Sequence, residues 1–241
     1  YVAWCWDAGS STVSNTDGDV TASVRANQTA GFSICKWTGS NTNGYTVGHG
    51  LNAKPDFMIF KNTDAAFNWH VYHSALGATK VMRLNLNNAQ LDDAGFLNDT
   101  EPTSSVFTTG SFGVWDSDKD TVGYIFSAVA GYSAFGSYEG NGSTDGPFVH
   151  TDFAPAFVLI KAAGASTYWN LKDNKRDGYN PVFPVLHPNR SDAEGATQAI
   201  DLCSNGFKIR SSDGGYNTSS GDYIYAAFAE NPFQANGGLA R

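Results

Sequence analysis

The sequence is short of charge. Only 16% of its 241 residues are Asp, Glu, Lys or Arg, and only four of these are glutamates (Glu101, Glu139, Glu194 and Glu230). Fifteen Lys and Arg against 23 Asp and Glu give a formal charge of -8. Phosphate neutralisation needs a basic face, so the balance argues against nucleic acid as a partner. No apolar run is long enough for a membrane-crossing helix, and no secretory leader is visible, so membrane insertion is not expected. Cysteine is also scarce. Cys5, Cys35 and Cys203 are odd in number and scattered, which is no disulfide framework, and they read as buried thiols in strands. No sustained helical period occurs. There is no Gly-x-Ser-x-Gly elbow, Walker loop or dinucleotide fingerprint, and the isolated glutamates do not offer the paired carboxylates that sugar cleavage requires. The expectation is a protein without catalytic residues and without a cofactor.

What is present is a repeat. Pro155-Ala156-Phe157-Val158-Leu159-Ile160-Lys161 has a near-copy about one hundred residues earlier, Pro55-Asp56-Phe57-Met58-Ile59-Phe60-Lys61. A short run, apolar on both faces and started by proline, reads as a central β-strand. Trp69 matches Trp169 and Phe107 matches Phe207. The closing segments also agree, Tyr124-Ile125-Phe126-Ser127-Ala128-Val129-Ala130 against Tyr223-Ile224-Tyr225-Ala226-Ala227-Phe228-Ala229. A third trace opens the chain: Tyr1-Val2-Ala3-Trp4-Cys5-Trp6 has the aromatic and alanine pattern of those closing strands without a repeat of its own. It reads as the last strand of a missing module, which makes the chain a segment of a longer protein or leaves an orphan strand to pair elsewhere. Because the start then looks internal, the missing leader says little about export.

The expected organisation is an orphan strand plus connector over residues 1–29, a first β-sandwich repeat over 30–132, and a second with a C-terminal tail over 133–241. Strands are expected at 32–38, 46–48, 56–61, 68–72, 81–87, 106–109 and 122–130. In the second repeat they are expected at 135–138, 148–151, 156–161, 169–172, 181–186, 199–202, 206–210 and 222–229. The connector carries a hairpin signal around Asn15-Thr16-Asp17-Gly18-Asp19, and short helical turns fit near 73–79 and 192–197. Many short strands separated by Gly, Asn and Asp loops make the fold class all-β, with two tandem β-sandwich modules.

Candidate chemistry is thin. Asp116, Asp118 and Asp120 alternate as in calcium loops, but neither the glycine nor the distal glutamate of an EF-hand follows, and the reading is a solvated hairpin tip without metal. His70 and His73, three apart on a strand, would face opposite sides. Their counterparts are Asn170 and Asp173, so no metal site is expected there; His49, His150 and His187 stand alone. Trp115 has no aromatic counterpart in the second repeat. Packing under a loop is the commoner fate of such a residue; stacking on a sugar ring, with Tyr45 as a second loop aromatic, is the other reading. The Asn-x-Ser/Thr sequons at Asn27, Asn98, Asn141, Asn189 and Asn217 are little more than composition gives.

Several motifs together resemble a known family. They are Tyr1-Val2-Ala3-Trp4-Cys5-Trp6, Ala30-Gly31-Phe32-Ser33-Ile34, Thr46-Val47-Gly48-His49-Gly50-Leu51, the run from Phe135 to Val149, and Ala227-Phe228-Ala229-Glu230-Asn231-Pro232-Phe233. They resemble a repeat family of unknown function in large virion-associated proteins of marine bacteriophages, tail fibre or capsid-surface, where it often follows concanavalin-like lectin domains. The resemblance implies a β-sandwich module of a virion protein, located on the virion or extracellular. It would serve structure or host attachment, with self-association or other virion proteins as partners. A lectin-like module for a host surface glycan is the alternative, and a self-assembling filament subunit using the N-terminal strand is another. The family defines no functional residues, so none carries over.

Overall fold

The computed structural model describes residues 3–230. By backbone contacts the chain divides into two compact bodies. One is residues 4–84 with 90–128; the other is residues 129–230, joined by residue 3 and residues 85–89. Among the described residues there is no α-helix, only a single 3-10 turn at Gly113–Trp115, so the protein is all-β.

The N-terminal body contains β1 (Val13–Asn15), β2 (Ala22–Asn27), β3 (Phe32–Thr38), β4 (Thr46–Gly48), β5 (Phe57–Asn62), β6 (His70–His73), β7 (Lys80–Arg83), β8 (Leu91–Asp92), β9 (Val106–Thr108) and β10 (Asp120–Phe126). Eight of them form one sheet in the order β1-β2-β3-β10-β5-β6-β7-β8, and β4 pairs with β9. The core lies on one face of the large sheet. Val24, Cys35, Trp37, Met58, Phe60, Tyr72 and Ile125 point to it and meet Val47 of β4 and Phe107 of β9. Strand alternation places these residues on one side and Phe57, Ile59 and Tyr124 on the other.

The C-terminal body contains β11 (Ser133–Glu139), β12 (Phe148–His150), β13 (Pro155–Ala162), β14 (Asn170–Asp173), β15 (Val182–Val185), β16 (Gly195–Cys203), β17 (Gly206–Ile209) and β18 (Asp222–Ala229). It is a sandwich of two four-stranded sheets, β11-β18-β13-β14 and β12-β17-β16-β15. Val158, Ile160, Tyr223, Tyr225 and Ala227 of the first pack on Ile200, Phe207 and Ile209 of the second. Leu171 and Leu186 exchange two backbone hydrogen bonds, at 2.9 and 3.1 Å, linking the sheets at one side.

The central strand order is the same once β3–β10 is laid over β11–β18, although β7 continues the large sheet beside β6 whereas β15 pairs with β16 in the second sheet. In each body the last strand lies between the first and the proline-led one, and the second strand pairs with the penultimate. The sequence repeat is thus a structural repeat. Pro155 is the first residue of β13, where the register shifts, as a residue without an N–H requires.

The structure corrects several expectations. Residues 13–27 are more than a connector: β1 and β2 form a hairpin around the expected Asn15–Asp19 turn, and it adds to the sheet of the N-terminal body. Of the orphan strand, Tyr1 and Val2 lie outside the described residues, and residues 3–6 belong to no strand. Trp6 instead packs edge-on against Phe126, ring centroids 6.0 Å apart. β7 ends at Arg83: Leu84 N–H still donates across to Trp69 O at 2.9 Å, and the chain then turns through the asparagine-rich stretch. Residues 195–197 extend β16 rather than forming a helical turn. Of the cysteines only Cys35 is buried; Cys5 is exposed and Cys203 half-buried, all three being free thiols.

Candidate functional site: a polar cleft in the C-terminal body

The residues singled out for sugar stacking are not at the surface. Tyr45 and Trp115 are buried, Tyr45 Oη donating to Trp115 O at 3.1 Å and Trp115 Nε1 donating to Phe96 O at 2.8 Å. A buried indole needs such an acceptor, and this one fixes Trp115 under its loop. Trp115 also has a counterpart after all. Its N–H donates to Phe112 O at 2.8 Å, as that of the buried Tyr216 donates to Asp213 O at 2.9 Å.

In the acidic hairpin, Asp120 is engaged by Lys36 at 2.8 Å and by Thr38 Oγ1 at 2.7 Å. Asp118 occupies the left-handed region at φ 61°. Among the described residues no group of three or more His, Cys, Asp or Glu could hold a metal ion.

His49, His70 and His73 serve the fold. His73 Nδ1 accepts the Ala75 N–H at 3.1 Å, and its counterpart Asp173 likewise accepts two N–H groups of the following turn, from Lys175 and Arg176. His70 lies between Phe96 and Phe112 with Nδ1 unpartnered, and burial lowers its pKa to about 4. His49 Nδ1 accepts the Leu51 N–H, so Nε2 carries the hydrogen and donates to Thr103 O at 3.3 Å; burial lowers it too, to about 4.

Two lysines gained no role from the sequence beyond ending their strands. Lys61 Nζ donates to the carbonyls of Asn62, Ala65 and Phe67; Lys161 Nζ donates to those of Ala162 and Ala165 and to Thr167 Oγ1. Each ties down the loop after its strand. Lys161 is fully buried, and desolvation lowers its pKa to about 8. Lys172, also fully buried, donates to Phe183 O at 2.7 Å and Thr197 O at 3.0 Å, and is lowered to about 7.

These ties surround a cleft of about 460 Å³ in the C-terminal body, lined by Thr167, Tyr168, Asn170, His187, Gln198 and Asp213 among others. Lys161 fixes the Thr167 wall and Lys172 the Thr197 wall. Asn170 Nδ2 bridges Tyr168 O and Gly215 O, both at 3.1 Å. Asp213 Oδ1 accepts the Gly215 N–H at 2.8 Å. His187 Nδ1 lies 3.0 Å from Trp169 O; a carbonyl only accepts, so Nδ1 bears the hydrogen and the neutral ring keeps Nε2 as an acceptor. At the rim Tyr168 is 39% exposed, with the Arg190 guanidinium 4.3 Å from its centroid. Lys172 carried no signal in the sequence, because its partners are backbone carbonyls of residues distant along the chain.

Two concavities of similar size lie elsewhere. One of about 470 Å³ runs over Val13, Ser23 and Lys36, and one of about 480 Å³ lies by Asn174, Asn180 and Cys203. Neither has an aromatic side chain at its rim comparable to Tyr168.

Residues 1–232 match a family described as a domain of unknown function, DUF7483. The chain belongs to this family. The DUF7483 match runs through both bodies. No curated protein and no solved structure matches the chain.

Proposed function

We propose that this DUF7483 chain is a non-catalytic structural and adhesive module of a larger surface assembly, of the kind carried by virion appendages of marine bacteriophages, and that it contributes to host attachment. The observation that carries the reading is what the repeated bodies do with their reactive side chains. Lys61, Lys161, Lys172, His49, His73 and Asp173 are each committed to backbone groups of a neighbouring loop. Such commitment suits rigid display and leaves these groups unsuited to proton transfer or nucleophilic attack, which need a free lone pair near the substrate. Low charge and loop-rich β bodies in series agree with an outward-facing, neutral-to-acidic module. The motif resemblance to virion proteins supports the setting. A lectin-like carbohydrate-binding module is the second reading, favoured by the open polar cleft beside Tyr168.

The test is attachment. Fluorescently labelled chain, incubated with marine bacterial cells, should be retained on the surface of a susceptible host and not on unrelated cells. Equal retention on all cells, or none on any, would remove the adhesive reading.

A further inference from the structure

The two bodies share a backbone at three positions where their side chains differ in kind. Phe67 N–H donates to Ala65 O at 2.9 Å, and Thr167 N–H to Ala165 O at 3.0 Å. His70 pairs across the ladder with Phe60, and Asn170 with Ile160, each partner being the residue before the loop-tying lysine. Phe112 and Asp213 each accept the hydrogen bond that starts the turn before the last strand. In the N-terminal body the three positions are Phe67, His70 and Phe112. They fill the space: Phe67 and Phe112 pack on the core, and His70 and Phe112 sit 5.3 Å apart. In the C-terminal body they are Thr167, Asn170 and Asp213, and the space is the open cleft. The residue next to the first position changes the opposite way, from Asn68 to the exposed aromatic Tyr168.

One wall of the cleft is also irregular. β15 pairs Val182 with Ile200 and Pro184 with Ala196, so β16 carries extra residues between those pairs. Thr197 and Gln198 occupy this bulge, and Gln198 has φ 52°, an unfavourable conformation for a residue with a side chain. Strain of this sort persists where surrounding structure enforces it, and here the buried Lys172 holds Thr197 O. The bulge brings Thr197 and Gln198 into the lining of the cleft.

We infer that the cleft binds a neutral saccharide, with the face of Tyr168 opposite the Arg190 guanidinium as the platform for the apolar face of a pyranose ring and Asn170, His187, Gln198 and Asp213 as hydrogen-bond partners of its hydroxyls. This rests on the adhesive reading and names its ligand class. The lining supplies both donors and acceptors, as vicinal hydroxyls require, whereas a phosphate or carboxylate ligand would meet the Asp213 carboxylate, and the Arg190 guanidinium at the rim is already paired with Asp192. The walls are pre-tied by Lys161, Lys172 and Asn170, so little ordering is needed on binding.

The experiment uses the whole chain and methyl glycosides of glucose, galactose, mannose and N-acetylglucosamine, read by ligand-observed NMR and calorimetry. At least one glycoside should bind. Tyr168→Ala should weaken it about tenfold or more, and Thr167→Phe with Asp213→Phe, which rebuilds the filled arrangement of the N-terminal body, should abolish it. Val13→Ala, on the exposed edge of the other body, should leave binding unchanged, and the melting curve of each variant reports its folding. No binding by any glycoside, or binding unaltered in a folded Tyr168→Ala chain, overturns the inference. If cells retain the intact and the Tyr168→Ala chains equally, the saccharide cleft is wrong while the adhesive reading stands. If cells retain neither although a glycoside binds, the adhesive reading fails and the cleft stands.

Discussion

Lys172 and Lys161 are held out of solvent by carbonyls rather than carboxylates, and that fixes how stability follows pH. Unfolded, each keeps its proton to the ordinary value of 10.5; folded, Lys161 is lowered to about 8 and Lys172 to about 7. Between those values the unfolded chain binds more protons, so stability rises as pH is raised from about 7 toward 9.5, and this contribution is absent below that window. The expected slope is about 1 kcal/mol per pH unit for each lysine, and Lys172→Met should remove one share of it in urea titrations. On the acid side His49 and His70 are lowered from 6.5 to about 4, so stability falls as pH drops through that interval. His70→Phe, which keeps the aromatic packing and removes the titrating ring, should flatten part of that fall. The thiols give a separate check. Cys35 is buried, its pKa pushed up to about 12, while Cys5 is exposed. Maleimide labelling followed by mass spectrometry should modify Cys5 first, Cys203 more slowly, and Cys35 only on unfolding.

At the scale of elements, the turn after β14 is the place where a single change should cost most. Asp173 is fully buried; its Oδ2 lies 2.6 Å from Arg176 Nε, and Arg176 also reaches Glu194 at 2.8 Å and Leu171 O at 3.2 Å. Arg176→Ala leaves that carboxylate uncompensated and should cost about 3 kcal/mol in denaturant unfolding. Arg176→Lys, lacking the planar fork, should recover only part. Strands of this fold were readable where apolar content was high: β3, β4 and β18 fall where the runs at 32–38, 46–48 and 222–229 place them. Of β1 and β2 only the turn between them was readable, because Ala22 and Val24 are the only buried residues of the hairpin and stand among Ser, Thr and Asn, as in a loop. Trp115 takes the commoner of its two expected fates, packing under a loop: the acidic stretch from Asp116 to Asp120 follows it in sequence, whereas its neighbours in space are Trp37, Phe60 and Phe96. The cleft was illegible altogether: Thr167, Asn170 and Asp213 converge only through a turn distant in sequence, and each is unremarkable by itself.

For the molecule as a whole, duplication followed by divergence, most telling at the cleft, accounts for the pattern better than two bodies of equal role. The order of the four central strands, the loop-tying lysines and the turn before the last strand are the same in both bodies. The filling residues Phe67, His70 and Phe112 are not. A body whose site is closed by aromatics gains apolar burial; its copy gives up that burial and keeps an open polar cavity, a loss that stability alone does not favour. A chain with formal charge -8 is also repelled by phosphate-rich surfaces, so attachment through this cleft would rest on stacking and neutral hydrogen bonds, which salt screens little. Retention of the chain on a glycan-coated surface should therefore change less than about twofold between roughly 0.05 and 0.5 M NaCl, where the Debye length shrinks about threefold. A steep loss over that range, measured by surface plasmon resonance, would mean that charged side chains such as Lys36 or Arg210, and not the Tyr168 cleft, make the attachment.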